Sequence, residues 1–485
     1  MSALVSCFES LDAEADYAVL FGGPSHVSAL NQYAILGIGA RQTLSIEPGE
    51  TRGAFFNRLA LAQKHCHRWP NANHLPFSGG LVGLIGYEFY PWCDEAFAHL
   101  DVPPQTHDFP TALFLECESW LVLDLENQTA YPLCDTPESE KKWLDLWQHH
   151  LQNAPGAMPS SAFSKDELTT YLSGFQHSLD EAGFIKGVDH IQSHILAGDL
   201  YQANLSIRFE KIMRVNPFRV FETLCAQNPS PFSGMLKTPQ GYLISNSPER
   251  LFKLQNGLLE TRPIAGTRGR GKTPEEDTRL QAELLSNAKE RAEHLMLVDL
   301  ERNDLGRVCK PGSVEVNELL TLEPYSHVTH LVSNITGQLA DDKTIWDALR
   351  SLFPGGTITG CPKIRCIDIL RAIEPTPRGF YTGSLGYIDA ATGHADFNIL
   401  IRSLLLQPQA SPSASELTLG YNAPDFSEYT VSLQAGAGIV ADSIGAYEYG
   451  ESLKKAHAIL GALHACESRA KPTTRQHGYA DLQSR

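Results

Sequence analysis

Residues 287–306 read NAKERAEHLMLVDLERNDLG, and the interpretation of the whole chain starts from this stretch. It predicts a helix that places Glu290 and Glu293, three residues apart, on one face of the first turns. A second predicted helix at 446–460, AYEYGESLKKAHAIL, repeats the arrangement with Glu448 and Glu451. Loops rich in glycine, threonine and arginine lie between the two helices. Together these features suit one magnesium ion and one small anionic ligand.

Length and charge limit the classes of protein that the chain can represent. Its 485 residues exceed the usual size of one domain, so two domains or one large composite fold are expected. The net charge is −17 and the chain has no dense cluster of lysine and arginine, which argues against nucleic acid as the main partner. The ten cysteines form no C-x-x-C pair or zinc-finger spacing, a pattern typical of reduced thiols.

The N-terminal sequence predicts no export. Residues 1–17, MSALVSCFESLDAEADY, lack a basic start and carry acids where a signal peptide would be apolar. No run approaches the roughly 18 apolar residues of a membrane span. We therefore expect a cytoplasmic protein with no membrane partner.

The order of predicted elements indicates an α+β fold. Several consecutive strands have no helix between them, which favours a largely antiparallel sheet. The segment 153–164, NAPGAMPSSAFS, is typical of a linker. We expect a β-rich N-terminal subdomain at 1–155 that packs on a catalytic core at 165–465, and a disordered tail at 467–485. The predicted helices are 180–197, 217–227, 275–299, 344–352, 363–373 and 444–463, and the predicted strands include 201–209, 241–245, 383–387 and 397–406.

Two motifs match well-known sites without the context that those sites need. Residues 266–273, GTRGRGKT, match a nucleotide-binding phosphate loop, but Pro274 disfavours helical geometry at Thr273, where that loop should enter a helix. His190 and His194 have the spacing of a zinc pair, yet Ile191 follows the first histidine instead of the catalytic glutamate of a zinc protease. We interpret the first motif as an ordinary loop and the histidines as a packed or solvent-facing pair.

Four further features carry potential chemistry. Glu249 follows a strand in SPER (247–250) and can act as a proton donor if burial raises its pKa. The loop 263–268, PIAGTR, can bind an anion through backbone N–H groups and a hydroxyl. The segment 355–360, GGTITG, leads into a helix and presents free amides. Arg402 lies among apolar neighbours, where it is costly unless it pairs with a carboxylate.

Each feature also has an ordinary structural interpretation. Glutamates at helical spacing most often form a solvated face, and a lone buried arginine usually belongs to a structural ion pair. Their joint occurrence, with Lys455 one turn beyond Glu451, favours a site for a dicarboxylate bridged by magnesium.

A series of motifs resembles, in order and spacing, the chorismate-utilising enzymes, a family that includes anthranilate synthase component I, aminodeoxychorismate synthase component I, isochorismate synthase and salicylate synthase. The resemblance covers nearly all of 165–463, and GGLVGLIGYEFY (79–90) extends it towards the N-terminus. It implies large, mostly antiparallel sheets packed in a sandwich with helices outside. The matching motifs are SPER, PIAGTR, KERAEHLMLVDLERNDLGR, HLVSNITG, GGTITGCPK, YTGSLGYI, ILIRS, QAGAGIVADS and EYGESLKKA.

The resemblance also implies residue roles, with Mg²⁺ as the cofactor. The metal ligands are Glu293 and Glu451, supported by Glu290 and Glu448. The catalytic positions are Glu249, His330, Gln202 and Thr267, and the substrate-binding positions are Gly266, Thr267, Thr357, Tyr381, Arg402, Gly438, Lys455 and Ala265. Gln202 stands where relatives that add water carry a catalytic lysine, which disfavours isochorismate and salicylate synthesis.

Two aminating activities remain, and the residues point both ways. Ala265 stands where the best-known aminodeoxychorismate synthases have a nucleophilic lysine, as it does in anthranilate synthases. However, LFGG (20–23) and QYAILG (32–37) have lost the polar end of the pocket in which anthranilate synthases bind tryptophan. The resemblance therefore implies aminodeoxychorismate synthase component I, with anthranilate synthase component I as the alternative. The chain has no G-x-C-x-G nucleophile elbow, so we expect a separate glutamine amidotransferase subunit to supply ammonia.

Overall fold

Two large antiparallel sheets form the centre of the protein. The computed structural model describes residues 1–12, 15–22, 32–69, 72, 75–97, 100, 109–153, 165–325, 328–409 and 427–470. Within these ranges the class is α+β, as predicted. None of the helices in these ranges is long and apolar enough to cross a membrane.

The described residues form these α-helices: α1 (Ser2–Asp12), α2 (Arg52–His65), α3 (Tyr90–Cys93), α4 (Pro137–Gln152), α5 (Lys165–Leu172), α6 (Glu181–Leu196), α7 (Pro217–Gln227), α8 (Pro274–Ser286), α9 (Ala288–Gly306), α10 (Ile345–Leu352), α11 (Lys363–Ile373) and α12 (Gly445–Ala470). They form these strands: β1 (Ala18–Phe21), β2 (Tyr33–Ile38), β3 (Gln42–Ser45), β4 (Gly80–Ile85), β5 (Ala112–Glu116), β6 (Ser119–Asp124), β7 (Thr129–Leu133), β8 (Gln176–His177), β9 (Gln202–Val215), β10 (Phe232–Thr238), β11 (Gly241–Ser247), β12 (Arg250–Gln255), β13 (Leu258–Thr261), β14 (Ile264–Gly269), β15 (Glu315–Pro324), β16 (Val328–Gln338), β17 (Gly360–Cys361), β18 (Ser384–Asp389), β19 (Ala395–Asn398), β20 (Ser403–Pro408) and β21 (Ser427–Ile439).

Strands from both halves of the chain share the two sheets. The first sheet has the order β17-β9-β21-β20-β11-β10-β1-β2-β6-β7, with β8 on β9, and the second has the order β14-β16-β13-β12-β19-β18-β4-β5-β3, with β15 on β16. The N-terminal strands therefore extend both sheets edge to edge, through β1 on β10 and β4 on β18. The domain boundary stays a prediction, and residues 154–164 of the predicted linker lie outside the described residues.

The hydrophobic core lies between the sheets and under the helices. Val19 and Trp120 of the first sheet pack in one cluster with Val82 and Leu385 of the second. Burial of these apolar side chains supplies the main driving force for the sandwich. A second cluster joins the other face of the second sheet to α2, α9 and α10. A third joins the other face of the first sheet to α6, α7 and α12.

Two predicted elements are each divided in the structure. The predicted helix 275–299 is wrong, because α8 ends at Ser286 and α9 begins after Asn287, whose ψ of 109° breaks the helical path. The predicted strand 397–406 is also wrong, because β19 and β20 belong to different sheets. Residues 399–402 carry the chain from one sheet to the other, and Arg402 adopts a left-handed φ of 49° there.

The predicted tail begins too early. The last helix continues to Ala470, and Glu467 accepts a hydrogen bond from Lys211 on β9 at 3.0 Å. This ion pair and the buried Cys466 hold the end of α12 against the first sheet. Residues 471–485 of the predicted tail lie outside the described residues.

Candidate active site

The start of α9 holds the first glutamate pair. Asn287 caps the helix by accepting a hydrogen bond from the backbone N–H of Glu290 at 3.1 Å. One carboxylate oxygen of Glu290 pairs with Arg268 of β14, whereas the other is buried without a hydrogen-bond partner in the described residues. One turn later, Glu293 accepts a hydrogen bond from the Gln202 side chain at 3.1 Å. Gln202, the predicted catalytic residue at the start of β9, therefore contacts Glu293, the predicted metal ligand.

The second glutamate pair lies on α12. Glu451 pairs with Lys455 at 3.2 Å, one helical turn away. Burial raises the pKa of Glu448, and the nearby charge of Glu451 raises that pKa further. The helices approach each other at their N-terminal ends, where Lys289 pairs with Asp442 at 2.9 Å.

Electrostatics connects the two helices, although their acids do not form one tight cluster. Burial raises the pKa of Glu293, and the charges of Lys289 and Lys455 oppose that shift. Lys455 of α12 therefore acts on a carboxyl of α9. In the described part of the chain, no three acidic, histidine or cysteine side chains gather closely enough to bind a metal as a group.

Glu249 is a buried carboxyl between β11 and β12. Thr357 donates a hydrogen bond from its hydroxyl to Glu249 at 2.7 Å. Burial raises the pKa of Glu249 to about 7, and the Thr357 hydrogen bond and the charges of Lys455 and Arg402 oppose that rise. The carboxyl is therefore about half protonated near neutral pH, which is the state a general acid needs.

Arg402 presents a partly buried cation to the same region. It donates a hydrogen bond to the Asn228 side chain at 3.3 Å, and no described carboxylate forms an ion pair with it. Burial lowers the pKa of this arginine, since desolvation disfavours its charge. An anionic ligand at this position would compensate that cost.

Thr267 and His330 face each other across β14 and β16. The Thr267 hydroxyl and His330 Nδ1 are 2.8 Å apart. Burial, and after it the charge of Arg402, lowers the pKa of His330 to about 4. The imidazole is consequently neutral at pH 7.

Glycines bring the backbone close to these side chains. Gly266 has a φ of 88°, and a Cβ there would lie 2.7 Å from a carboxylate oxygen of Glu290. A Cβ on Gly438 of β21 would lie 2.5 Å from the side-chain nitrogen of Gln202. Larger residues at either position would displace a side chain of the site.

Ala265 and Tyr381 complete the set of predicted residues. Ala265 is buried on β14, and its carbonyl oxygen lies 3.3 Å from His294 Nδ1. Tyr381 is buried with its ring 5.9 Å from the guanidinium of Arg378, a group that also pairs with Glu374. Tyr381 thus lies beside an ion pair of the core.

Comparison with known proteins gives the same family over nearly the whole chain. A family model described as chorismate binding enzyme matches residues 18–461. The chain belongs to this family. It is 43% identical to an anthranilate synthase component I-like protein of Synechocystis over 84% of this chain and 78% of that one. It is 39% identical to aminodeoxychorismate synthase component 1 of Bacillus subtilis over 84% of this chain and 80% of that one.

Solved structures give the same result for the fold. The crystal structure of anthranilate synthase component I from Streptococcus pneumoniae TIGR4 superposes with a TM-score of 0.71 and 30% identity. The match covers 89% of this chain and 93% of that one. The predicted sandwich of antiparallel sheets is therefore confirmed.

The candidate site contains partners that the motifs did not single out. Asn228 binds the side chain of Arg402, and Arg268 binds Glu290. His294 is fully buried beside Glu293, with Nε2 2.7 Å from the Ser333 hydroxyl. Both Arg268 and His294 lie inside motifs that were quoted for their neighbours, whereas Asn228 lies in none of them.

The phosphate-loop motif at 266–273 and the pair of His190 and His194 each have a local explanation in the structure. Thr273 caps α8 by accepting from the Glu276 backbone N–H at 3.2 Å, with Pro274 in the first turn. The backbone N–H of Lys272 donates a hydrogen bond to the Glu276 carboxylate at 2.8 Å. This N–H group is therefore already paired with a carboxylate of the chain and does not point at a phosphate. The rings of His190 and His194 pack at 4.9 Å, and His194 contacts Asp199 at 2.6 Å. Because His190 is exposed and His194 is half-buried, the expectation of a packed or solvent-facing pair is confirmed.

Proposed function

We propose that this chain is aminodeoxychorismate synthase component I, which replaces the 4-hydroxyl of chorismate by an amino group to give 4-amino-4-deoxychorismate. Ammonia comes from a separate glutamine amidotransferase subunit. Chorismate carries two carboxylates and a departing hydroxyl, so its site needs anion-binding groups and a proton donor.

One pairing of groups carries this proposal: the carboxyl of Glu249 lies within electrostatic reach of Arg402, a partly buried cation without a carboxylate ion pair in the described residues. Arg402 binds a substrate carboxylate, and that contact positions the ring. Glu249, with a pKa of about 7, gives its proton to the departing hydroxyl, which leaves as water.

The remaining groups position and polarise the substrate. Lys455 and the backbone at Gly266 and Gly438 bind carboxylate oxygens. Neutral His330, 2.8 Å from the hydroxyl of Thr267, holds that hydroxyl towards the ligand without adding a positive charge.

The acids of α9 and α12 offer the oxygen ligands that a magnesium ion needs, although in the described residues no three of them gather closely enough to bind it as a group. Glu293 and Glu451 would hold it, with Glu290 and Glu448 in support, and all four present the oxygen ligands that Mg²⁺ prefers. One buried oxygen of Glu290 has no hydrogen-bond partner in the described residues, and burial raises the pKa values of Glu293 and Glu448, so a bound cation would stabilise the charged form of these acids. When bound, Mg²⁺ would neutralise a substrate carboxylate and draw electron density from the ring. Glu293→Gln is expected to raise the magnesium concentration needed for half-maximal activity, and unchanged activity at limiting magnesium contradicts the assignment.

The N-terminal strands support the aminodeoxychorismate product. Gly22 stands where anthranilate synthases resembling this chain carry the glutamate of their tryptophan pocket, and a Cβ there would lie 2.7 Å from the Cβ of Ala34. The ring of Phe21 packs against that of Tyr387 at 6.0 Å. A larger side chain at position 22 would therefore clash with Ala34.

Anthranilate synthase component I is the second candidate, and Ala265 favours it. This residue is buried on β14 with a methyl group in place of the nucleophilic lysine. In our proposal ammonia attacks without a covalent lysine intermediate.

Product analysis separates the two activities. The purified chain is incubated with chorismate, Mg²⁺ and an ammonium salt, which replaces the partner subunit, with and without aminodeoxychorismate lyase. We expect 4-aminobenzoate to form only when the lyase is present. Fluorescent anthranilate without lyase identifies the second candidate, and Glu249→Gln serves as the inactive control.

A further inference from the structure

The guanidinium of Arg402 is held by a neutral side chain. It donates a hydrogen bond to Asn228 Oδ1 at 3.3 Å, and within the described residues this is the one side-chain hydrogen bond that Arg402 makes. An arginine side chain only donates, so the oxygen of the Asn228 amide must face it. The nitrogen of the same amide lies 3.3 Å from Ser230 Oγ, to which it donates. The orientation of Asn228 is therefore fixed from both sides.

Asn246 holds the backbone of both residues. It lies fully buried on β11. Its side-chain nitrogen donates to the carbonyl oxygen of Asn228 at 2.6 Å, and its backbone N–H donates to the carbonyl oxygen of Arg402 at 3.1 Å. One buried residue thus fixes the position of Asn228, at the end of α7, relative to Arg402.

The backbone of Arg402 is strained. Its left-handed φ of 49° is unfavourable for a residue other than glycine. Such a conformation persists where the surrounding contacts determine it, and it is frequent at ligand-binding sites. Asn228 and Asn246 provide these contacts, one at the side chain and one at the backbone. The fold therefore stabilises one direction of this guanidinium at a conformational cost.

Two other arginines of the interior show the usual alternative. Arg250 pairs with Asp396 at 2.9 Å, and Arg378 pairs with Glu374 at 2.9 Å. In both cases a carboxylate neutralises a charge that would be costly to bury alone. Arg402 contacts an amide instead, so its charge and its remaining N–H donors stay available.

We propose that Asn228 is a positioning residue whose neutrality matters: it holds the guanidinium of Arg402 in place and leaves the positive charge for a carboxylate of the substrate. The inference rests on the proposed function only in that Arg402 binds a carboxylate of chorismate. A guanidinium has five N–H donors, so one bond to Asn228 leaves enough for a two-point contact with that carboxylate. An aspartate at position 228 would have nearly the same shape, but its charge would pair with Arg402 and compete with the substrate.

The opposing possibility is that Asn228 only ends α7, where its backbone N–H donates to the carbonyl oxygen of Leu224 at 2.9 Å. In that case its replacement acts on folding alone. Aspartate, which is closer to asparagine in shape, should then disturb the protein less than alanine does.

The first test measures chorismate binding to Asn228→Asp and Asn228→Ala by calorimetric titration, with Mg²⁺ and without ammonium, so that no amination occurs. We expect Kd to rise about 10- to 100-fold in Asn228→Asp, because a charge-assisted contact of the substrate is lost to the new ion pair. In Asn228→Ala we expect a rise of about 2- to 5-fold, because one neutral hydrogen bond is lost and the charge stays free. Binding that is weakened equally in both variants, or more in Asn228→Ala, overturns the proposal.

The second test is thermal unfolding of the same variants without chorismate. The new ion pair should make Asn228→Asp at least as stable as Asn228→Ala. The variant that binds chorismate more weakly should therefore be no less stable, a combination that loss of structure alone does not produce. If Asn228→Asp unfolds at a lower temperature than Asn228→Ala, or fails to fold, the new carboxylate does not pair with Arg402 and the proposal is overturned.

The matched control is Gln227→Glu, which adds the same charge one residue earlier. Gln227 is half-buried at the end of α7 and makes no hydrogen bond to Arg402 in the described residues. We expect its Kd for chorismate to stay within about twofold of that of the unmodified chain. A loss of binding as large as that of Asn228→Asp would show that added charge in general causes the effect, and would overturn the proposal. Formation of anthranilate would contradict the proposed function and leave these binding results unaffected, since both activities start from chorismate.

Discussion

The hydroxyl of Thr357 changes the pKa of Glu249. Its hydrogen bond lowers the pKa of Glu249 against the larger effect of burial. We therefore expect Thr357→Val to raise that pKa above 7, so that Glu249 keeps its proton to higher pH. The alkaline limb of kcat/KM should move upwards in pH, measured as a rate profile with chorismate and ammonium. The control is Thr359→Val, which removes a nearby buried hydroxyl that makes no hydrogen bond to Glu249. If the alkaline limb of kcat/KM does not move in Thr357→Val, the assignment of this limb to Glu249 is contradicted.

Gly266 is required for conformation and for space. Its φ of 88° is strained for any other residue, and a Cβ would meet the Glu290 carboxylate at 2.7 Å. Gly266→Ala should cost about 1–3 kcal/mol in the free energy of unfolding and weaken chorismate binding. Gly269→Ala, where a Cβ meets nothing within 4 Å, should be nearly neutral. Thermal unfolding and KM measure both effects, and equal behaviour of the two variants would contradict the explanation.

Sequence motifs identified single residues better than their partners. Glu249 and Thr357 were singled out separately, but their contact joins positions 108 residues apart. The support of Arg402 by Asn228 spans 174 residues. Motifs record local sequence, whereas such contacts depend on the register of the sheets, which the sequence does not display. For the same reason, the sequence predicts that Arg402 needs a carboxylate partner but does not show which residue would supply it.

At the scale of elements, Asn287 separates α8 from α9 and sets where the glutamate face begins. Its side chain accepts from the Glu290 backbone N–H, and Glu290 and Glu293 follow at fixed helical positions. Asn287→Ala should cost about 1 kcal/mol in unfolding free energy, whereas Asn287→Asp should keep the cap and most of the stability. Activity at limiting magnesium should fall in the alanine variant only. Equal unfolding midpoints for the two variants would show that the cap is unimportant.

The two misassigned elements have a common cause. Residues 275–299 have helical composition on both sides of Asn287, and residues 397–406 (FNILIRSLLL) are mostly apolar on both sides of Arg402. Composition and periodicity therefore continue across both breaks. The break at Asn287 depends on one backbone torsion, and the change of sheet at Arg402 depends on a left-handed φ of 49°. Neither torsion alters the hydrophobic pattern, so the pattern could not reveal them.

At the scale of the whole molecule, the N-terminal residues are part of both sheets. The carboxylate of Glu88 accepts hydrogen bonds from the backbone N–H groups of Arg378 and Gly379, at 2.7 and 2.8 Å. Arg378 itself is 1% exposed and pairs with Glu374 at the end of α11. The α+β class and the antiparallel sheets were predictable from consecutive strands. The sharing of sheets between the two halves was not, because strand order is a property of the fold.

This sharing predicts how the two halves behave when separated. Without residues 1–153, strands β10 and β18 become open edges, and the cluster around Val19 and Trp120 loses two thirds of its buried side chains. Residues 165–485 expressed alone should therefore aggregate or unfold without a cooperative transition, as judged by size-exclusion chromatography and thermal melting. Co-expressed fragments 1–153 and 165–485 should associate and restore the ammonium-dependent activity, because only the connection at 154–164 is removed. A soluble, cooperatively folded and active fragment 165–485 would instead show that the catalytic region is an independent domain on which the N-terminal strands merely pack.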